Sequence, residues 1–230
     1  MTEKQPRYYQ TIINWREIDT VLLDMDGTLL DLHFDNFVWN EIVPNAYAEQ
    51  INAQKGHALA TIRDHMNQIK GSMAFYSFDY WQSYTGLNIA DLHHQHRDRI
   101  RFRPGALAFL NTMRRLGKKV VIATNADRRC FDIKDRALGL QALVDSVISS
   151  HDFNAPKEQQ EFWRSLQLVC PFDPRRTVFY DDTVRVLDAA AEYGIAESWA
   201  VTTPDSQSPI RDPSVYPCFD HFNETYPDLL

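Results

Sequence analysis

The chain has 230 residues, 44% of them hydrophobic and 24% charged, and its formal net charge is −7. This balance is typical of a folded globular protein and excludes a disordered chain, and no apolar run reaches the roughly 20 residues that a membrane-spanning helix needs. The negative charge argues against a nucleic-acid polymer as partner, because binding the phosphate backbone normally requires a basic face.

The N-terminal stretch MTEKQPRYYQ is polar and lacks the apolar segment of a signal peptide. We therefore expect a cytoplasmic protein without a membrane partner. The three cysteines, Cys130, Cys170 and Cys218, have neither disulfide nor metal-ligand spacing, and we expect reduced thiols. Nothing in the sequence indicates an oligomeric state.

Five short apolar runs bounded by polar turns predict buried strands. They cover residues 20–23, 119–123, 145–149, 177–180 and 199–201. Helical periodicity lies between most of them, at residues 106–116, 128–138, 158–168 and 184–193. The alternation predicts an α/β fold in which helices cover both faces of a parallel sheet.

One connection is far longer than a crossover between parallel strands needs. About seventy residues separate the first two strands, and residues 36–92 have helical patterns without a convincing strand. We predict that a helical cap, residues 33–103, is inserted into a sheet domain formed by residues 1–32 and 104–230, with Pro104-Gly105 at the return. The tail from Thr203 is rich in proline, serine and aspartate and is expected to run irregularly.

The first strand is followed directly by Asp24-Met25-Asp26-Gly27-Thr28. Ligands of open parallel sheets bind beyond the carboxyl ends of the strands, and this spacing presents two carboxylates to the same side. Asp24 is then a candidate nucleophile and Asp26 a neighbouring acid or base, with Gly27 allowing a sharp turn. Turn-forming aspartates are the plainer interpretation, and a calcium loop is a third, although its later acidic ligands are missing.

A second acidic pair, Asp181-Asp182, follows the apolar strand 177–180. If the two strands are neighbours, like-charge pairs at 4 Å each cost about 4 kcal/mol at an effective dielectric near 20, so the cluster needs a cation. Carboxylate and carbonyl oxygens without histidine or cysteine favour Mg²⁺ over zinc. We predict metal ligands at Asp24, Asp26, Asp181 and Asp182.

Two further segments predict a phosphate site. Thr124-Asn125 closes the second strand, where a hydroxyl and backbone amides can hold phosphate oxygens. Lys157 precedes a predicted helix and can supply a positive charge to the phosphate and to the attacking carboxylate. Taken singly, Thr124 as a helix cap and Lys157 as a surface lysine are the plainer interpretations.

These four segments, in this order, resemble the motifs of the haloacid dehalogenase superfamily between Asp24 and Asp182. The resemblance implies a Rossmann-like sheet domain, magnesium, and a cap between the first and second motifs. It also implies that Asp24 attacks phosphorus and that Asp26 protonates the leaving oxygen and then activates water, while its backbone carbonyl contacts the metal. The remaining implied roles are phosphate binding by Thr124 and Lys157 and magnesium ligation by Asp182 and, directly or through water, by Asp181. The second aspartate of that pair argues for phosphatase or phosphotransferase chemistry.

A closer resemblance, over nearly the whole chain, is to the bacterial nucleotidases of this superfamily that act on GMP and IMP. The similar segments are VLLDMDGTLLDLHFDN, DYW, TNA, PKE, LDAAAEYGI and VTTPDS. The resemblance implies a small phosphorylated metabolite as partner, namely a purine nucleoside monophosphate, and a phosphoric monoester hydrolase. Rival interpretations are a phosphatase for sugar phosphates or other small metabolites, a phosphomutase, an inactive homologue that only binds, and a phosphorylated receiver domain.

Aromatic and polar residues of the cap are candidates for substrate contact, because a purine stacks on aromatic rings. These candidates are Phe34, Asn36, Trp39, Tyr76 and Trp81. Packing of a small cap core is the plainer interpretation of each ring. We expect His93, His94 and His96 to form a solvated polar face rather than a metal site. The arginines at 97, 99, 101 and 103 are expected to form a solvated hinge.

Overall fold

The computed structural model describes residues 13–211 and 215–226. Predictions about the polar N-terminus and about the last residues of the sheet domain lie outside these ranges. Within the described ranges, six strands form one parallel sheet in the order β3-β2-β1-β4-β5-β6. They are β1 Thr20–Leu23, β2 Lys119–Thr124, β3 Ser146–Ser149, β4 Thr177–Asp181, β5 Glu197–Val201 and β6 Cys218–Phe219.

Helices cover both faces of this sheet. They are α7 Ala106–Arg115, α8 Arg128–Leu138, α9 Gln160–Val169 and α10 Val184–Tyr193. Val21 and Leu23 of β1 join the apolar cluster that contains α7 and α8, whereas Leu22 joins the cluster that contains α9 and α10. This division follows from the two-residue period of a strand, and it confirms the predicted α/β sandwich.

The segment between β1 and α7 is helical. It contains α1 His33–Phe37, α2 Val43–Gln50, α3 Lys55–Ile69, α4 Met73–Tyr76, α5 Phe78–Thr85 and α6 Ile89–Gln95, with a π-helical turn at Val38–Ile42. Leu30 and Phe102 form an antiparallel bridge where the chain leaves and returns, and Arg103 N–H donates to the Leu29 carbonyl at 2.8 Å. The division into a cap and a sheet domain at residues 33 and 103 stays a prediction.

Arg103 is not part of the solvated hinge that we had expected, because it is only 2% exposed. Its guanidinium donates to the carbonyl oxygens of Thr203 at 3.1 Å and Asp220 at 2.7 Å. Burying a guanidinium is costly unless its donors are paired. Arg103 therefore fixes the return of the chain to the residues that follow β5 and β6. The other three arginines of the series are exposed.

The structure differs from the prediction at the start of α9 and in the tail. Helix α9 begins at Gln160 rather than at residue 158, because Lys157 and Glu158 remain in a turn whose side chains bond elsewhere. The tail also contains β6, followed by a 3₁₀ turn at Phe222–Thr225. Phe219 and Phe222 are buried and pack on Tyr180, so the core orders this part of the predicted irregular tail.

No helix in the described ranges combines the length and the apolarity that crossing a bilayer requires.

Candidate active site

The predicted strand-end carboxylates meet because β1 and β4 are neighbours. Leu23 is in register with Tyr180, and Asp24 N–H donates to the Tyr180 carbonyl at 2.9 Å. Asp181 is the last residue of β4 and is 1% exposed, and Asp24 is 6% exposed. The two side chains therefore lie side by side at the carboxyl edge of the sheet, as the sequence predicted.

Gly27 brings the loop after β1 against the second acidic pair. Its φ is +88°, a conformation that side chains other than hydrogen rarely tolerate. A Cβ at this position would lie 2.9 Å from Cγ of Asp182. The glycine backbone packs closely on the Asp182 carboxyl, so the loop after β1 and the acidic pair after β4 belong to one site.

Lys157 is buried between two of these carboxylates. Its Nζ donates to Oδ1 of Asp24 at 2.6 Å and to Oδ2 of Asp181 at 2.7 Å, and the side chain is 2% exposed. The surface-lysine interpretation is thus wrong. Burial works to lower the pKa of Lys157, but Asp181 and then Asp24 outweigh it and raise the pKa, so the ammonium stays charged.

Three carboxylates form a group that fits a hard cation. Ligand oxygens of Asp24, Asp181 and Asp182 lie within 4.8 Å of one another. Burial is the largest cause that raises the pKa of each of the three, with like charges nearby adding to it. A cation that binds there favours their ionised forms, and an all-oxygen donor set suits Mg²⁺.

The charge balance of the site also fits a divalent cation. Two carboxylates contact Lys157, a further pair contacts Lys134, and Asp182 contacts Arg211 at 3.1 Å. With every carboxylate ionised, five negative charges face three positive ones, an excess of two among these residues. One divalent ion removes that excess in the state in which Asp26 is ionised.

Asp26 has a partner that the sequence did not reveal. Lys134 of α8 donates from Nζ to Oδ1 of Asp26 at 2.6 Å and to Oδ1 of Asp35 at 2.7 Å. The signal available in the sequence is that Lys134 lies one turn after the buried residues Cys130 and Phe131, on the core-facing side of the helix. That signal identifies a buried lysine but not its partners.

The pKa of Asp26 is raised to about 6, mainly by burial and then by the nearby charge of Asp35. A raised pKa suits the role that the resemblance implies for Asp26, because the residue must hold a proton to give to the leaving group. Asp35, the carboxylate that contributes to the shift, lies on α1 in the inserted segment.

Thr124 and Asn125 lie where predicted, at the end of β2, and both are buried. Oγ1 of Thr124 accepts from Ala126 N–H at 3.0 Å, and helix α8 is capped instead by Asp127. The Asn125 side chain accepts from Lys157 N–H at 2.9 Å and donates to Glu158 at 3.0 Å. Asn125 therefore positions the turn that carries Lys157, and phosphate contact by either residue stays a prediction.

The candidate substrate residues of the cap divide into two groups. Phe34 and Trp81 are 1% and 0% exposed and belong to the hydrophobic core, so the structure assigns their rings to packing and does not support substrate stacking. Trp39 packs at 5.1 Å on Trp81. Asn36 donates to Asp205 at 2.6 Å, and Tyr76 donates to Glu158 at 2.8 Å, so both join the inserted helices to the sheet domain.

The histidine series is not a uniformly solvated face, since His93 is 1% exposed. His93, Asp35 and Cys130 place possible metal-ligand atoms within 4.8 Å of one another. Lys134, however, already bonds Asp35 in the same pocket, and an ammonium there repels a cation. We assign this cluster to packing and hydrogen bonding, with His93 Nδ1 at 2.8 Å from the Ile89 carbonyl oxygen.

Besides the contacts of Lys134 and Asp205, further contacts between the inserted helices and the sheet domain involve residues that sequence reasoning missed. Asp127 accepts from Phe78 N–H at 3.0 Å, and Arg129 pairs with Asp79 at 2.9 Å. Glu158 accepts from Tyr76 as described. The signal available is that Asp127 and Arg129 follow the TNA segment and Glu158 ends the PKE segment, because residues beyond strand ends face whatever covers that edge.

Comparisons with known proteins agree with this architecture. A family model for haloacid dehalogenase-like hydrolases matches residues 18–194. The GMP/IMP nucleotidase YrfG of Escherichia coli K12 is 34% identical over 218 residues, which cover 95% of this chain and 98% of that protein. The protein of the same name from Shigella flexneri matches to the same extent.

Solved structures show the same fold at low sequence identity. A HAD phosphatase from Thermococcus onnurineus has a TM-score of 0.76 and 18% identity, over 92% of this chain and 98% of that one. The L-2-haloacid dehalogenase of Xanthobacter autotrophicus has a TM-score of 0.56 and 19% identity, over 80% and 78% respectively. With the family model and the relatives, these findings lead to one conclusion: the chain belongs to the haloacid dehalogenase-like hydrolase family, within which it is a phosphoric monoester hydrolase.

Proposed function

We propose that the chain is a magnesium-dependent 5'-nucleotidase that removes phosphate from purine nucleoside monophosphates such as GMP and IMP, through a phosphoryl group carried on Asp24. The observation that carries the catalytic part is the buried Lys157, which bridges Asp24 and Asp181 at the shared edge of β1 and β4. The substrate class is supported by the name of the E. coli relative, which is 34% identical over almost the whole of both chains.

The residues that would hold magnesium are Asp24, Asp181 and Asp182, with the backbone carbonyl of Asp26. When bound, the ion supplies positive charge that offsets the charge on the phosphoryl oxygens. Lys157 supplies a second, fixed positive charge on the side of the Asp24 carboxylate. Such charges are most effective when they are positioned before the reaction begins, and the double hydrogen bond of Lys157 provides that positioning.

The reaction proceeds in two balanced steps. Asp24 attacks phosphorus as the bond to the ester oxygen breaks, and Asp26 gives its proton to that oxygen, so the nucleoside leaves with a hydroxyl group. Asp26, now a carboxylate, then takes a proton from water while the water oxygen attacks phosphorus and the bond to Asp24 breaks. Inorganic phosphate leaves, and both aspartates return to their starting forms.

The inserted helices serve as a cap over this chemistry. We propose the division made from the sequence, with residues 33–103 as the cap and the rest as the sheet domain. The contacts of Tyr76 with Glu158 and of Phe78 with Asp127 support it, because both span the carboxyl edge of the sheet. A cap at that edge excludes bulk water from the phosphoenzyme and offers Asn36, Trp39 and Tyr76 as candidates for nucleoside recognition.

The test is phosphate release from a panel of nucleoside monophosphates and sugar phosphates, with magnesium and with a chelator. We expect GMP and IMP to have the highest kcat/KM, and chelation to stop turnover. Preference for a sugar phosphate would overturn the substrate assignment while leaving the phosphatase chemistry. Full activity after chelation would overturn the magnesium site.

A further inference from the structure

Lys134 is a buried cation whose position the family chemistry described above does not explain. It lies on α8, is 0% exposed, and has two carboxylate partners. Burying an ammonium group is expensive unless its hydrogen bonds and charge are matched. Two carboxylates provide that match, so the contacts are integral to this part of the core.

The partners of Lys134 belong to two different parts of the molecule. Asp26 lies in the loop after β1, next to the candidate nucleophile, whereas Asp35 lies on α1, the first helix of the inserted segment. Across residues 13–211 and 215–226, the hydrogen bond from Lys134 is the only one made to the Asp26 carboxylate. The other oxygen of Asp35, Oδ2, is buried and has no hydrogen-bond partner in the described chain.

This arrangement leaves the orientation of Asp26 dependent on one ammonium group. Without it, two carboxylates would face each other across the space that Nζ fills. Both side chains would then be free to turn away, because no other described group holds either one. The Asp26 carboxyl would then lose its alignment with the ester oxygen, and proton transfer is sensitive to such alignment.

We propose that Lys134 is a positioning residue that aims the Asp26 carboxyl at the leaving-group oxygen and ties it, through Asp35, to the first helix of the cap. The inference rests on the proposed role of Asp26 as proton donor. Lys134 lies outside the four motif segments, and its two hydrogen bonds connect the first helix of the cap with the residue that transfers the proton.

The experiment compares kcat/KM for two esters, IMP and p-nitrophenyl phosphate, in the wild type and in K134M. The nucleoside oxygen needs a proton as it leaves, whereas 4-nitrophenolate leaves without one. Since kcat/KM reports steps up to formation of the phosphoenzyme, later hydrolysis does not obscure the comparison. General acid catalysis contributes roughly 10²–10⁴-fold, so we expect K134M to lose about 100-fold or more with IMP and under about 10-fold with the aryl ester.

The matched control is R136M, which removes an exposed positive charge from the same helix. It should retain wild-type kcat/KM with both esters. D35N, which keeps Lys134 but weakens its second anchor, should show the same selective loss at a smaller magnitude. Equal losses with the two esters in both K134M and D35N would overturn the proposal, because a merely structural defect does not distinguish leaving groups.

Two further outcomes are informative. If K134M fails to fold, as judged by circular dichroism, the D35N comparison decides the proposal on its own. If the wild type cleaves neither ester, the proposed function fails, and crystal structures of wild type and D35N with magnesium decide the Lys134 proposal. An Asp26 carboxyl in the same position in both structures would then overturn it, and a displaced one would support it.

Discussion

The carboxyl of Asp182 lies against the backbone of Gly27, at 2.9 Å from the position a Cβ would take. Alanine at residue 27 therefore meets two obstacles, a left-handed φ of +88° and a clash with a candidate metal ligand. We expect G27A to raise the magnesium concentration for half-maximal activity by about 10- to 100-fold, the usual effect of displacing a ligand from its support. Measuring initial rates against magnesium concentration tests this.

The control for backbone strain is G139A. Gly139 has a similar φ of +71°, but nothing lies within 4 Å of its added Cβ. Both variants should lose about 1–2 kcal/mol of stability from the left-handed conformation, and only G27A should change the magnesium dependence. A G27A enzyme with the metal dependence of the wild type would contradict the expected displacement of Asp182 from the metal site.

Replacing Asp24 by Asn tests the covalent route. The amide cannot attack phosphorus, so we expect phosphate release to fall by at least about 10⁴-fold, a loss in keeping with removal of a nucleophile. Folding should persist, because burial raises the pKa of Asp24 and a neutral side chain suits that environment. Thermal unfolding followed by circular dichroism checks the fold.

D132N is the matched control, since it makes the same substitution at an aspartate that is exposed on α8. It should keep full activity. Residual turnover by D24N above about 1% of wild type would contradict an intermediate on Asp24.

The strand-end residues of the site were predictable because a parallel sheet aligns the carboxyl ends of its strands. Asp24 follows β1, Thr124 ends β2 and Asp181 ends β4, and these three strands are adjacent in the sheet. Apolar runs identify such strands locally, and the register then follows from the buried faces. The positions of these residues needed no knowledge of helix packing.

The contacts made by helices were not predictable in the same way. Lys134 reaches Asp26 across 108 residues of sequence, and the pairing depends on how α8 packs on the loop after β1. Strand β6 was missed because Cys218–Phe219 is only two residues long, too short for a strand pattern to be recognised. Burial of Phe219 in the tertiary core, rather than local sequence, orders it.

His93 should make the stability of the protein depend on pH. Burial lowers its pKa to about 3, with the hydrogen bond to the Ile89 backbone opposing the shift and the charge of Lys134 supporting it. An unfolded histidine takes up a proton below about pH 6.5, whereas the folded one does not until near pH 3, so stability falls as the pH drops through this window. Between pH 7 and pH 5 we expect His93 to account for a loss of about 2 kcal/mol in the free energy of unfolding.

Urea unfolding of wild type and H93Q at the two pH values measures this contribution. The loss between pH 7 and pH 5 should be smaller in H93Q, while H94Q, which changes an exposed neighbour, should behave as the wild type. Equal pH dependence in wild type and H93Q would show that the buried imidazole accepts a proton in the folded state.

Tyr76 offers a test of the contact between cap and sheet domain. Its hydroxyl donates to Glu158 at 2.8 Å, and burial, followed by the charge of Glu158, raises its pKa, so it remains a donor at every relevant pH. Glu158 also accepts from Asn125, which holds the turn carrying Lys157. Y76F removes this hydrogen bond between the cap and the sheet domain, which is worth about 0.5–1.5 kcal/mol.

If the cap must close for substrate to bind, this loss appears in KM, which should rise about 2- to 10-fold while kcat changes little. Y84F is the control, because Tyr84 is 37% exposed and stacks on His65 within the inserted helices, away from the sheet domain. Its kinetic constants should match the wild type. A fall in kcat with unchanged KM in Y76F would instead place the hydroxyl among the groups that act on the transition state, since only an interaction made there lowers kcat without altering ground-state binding.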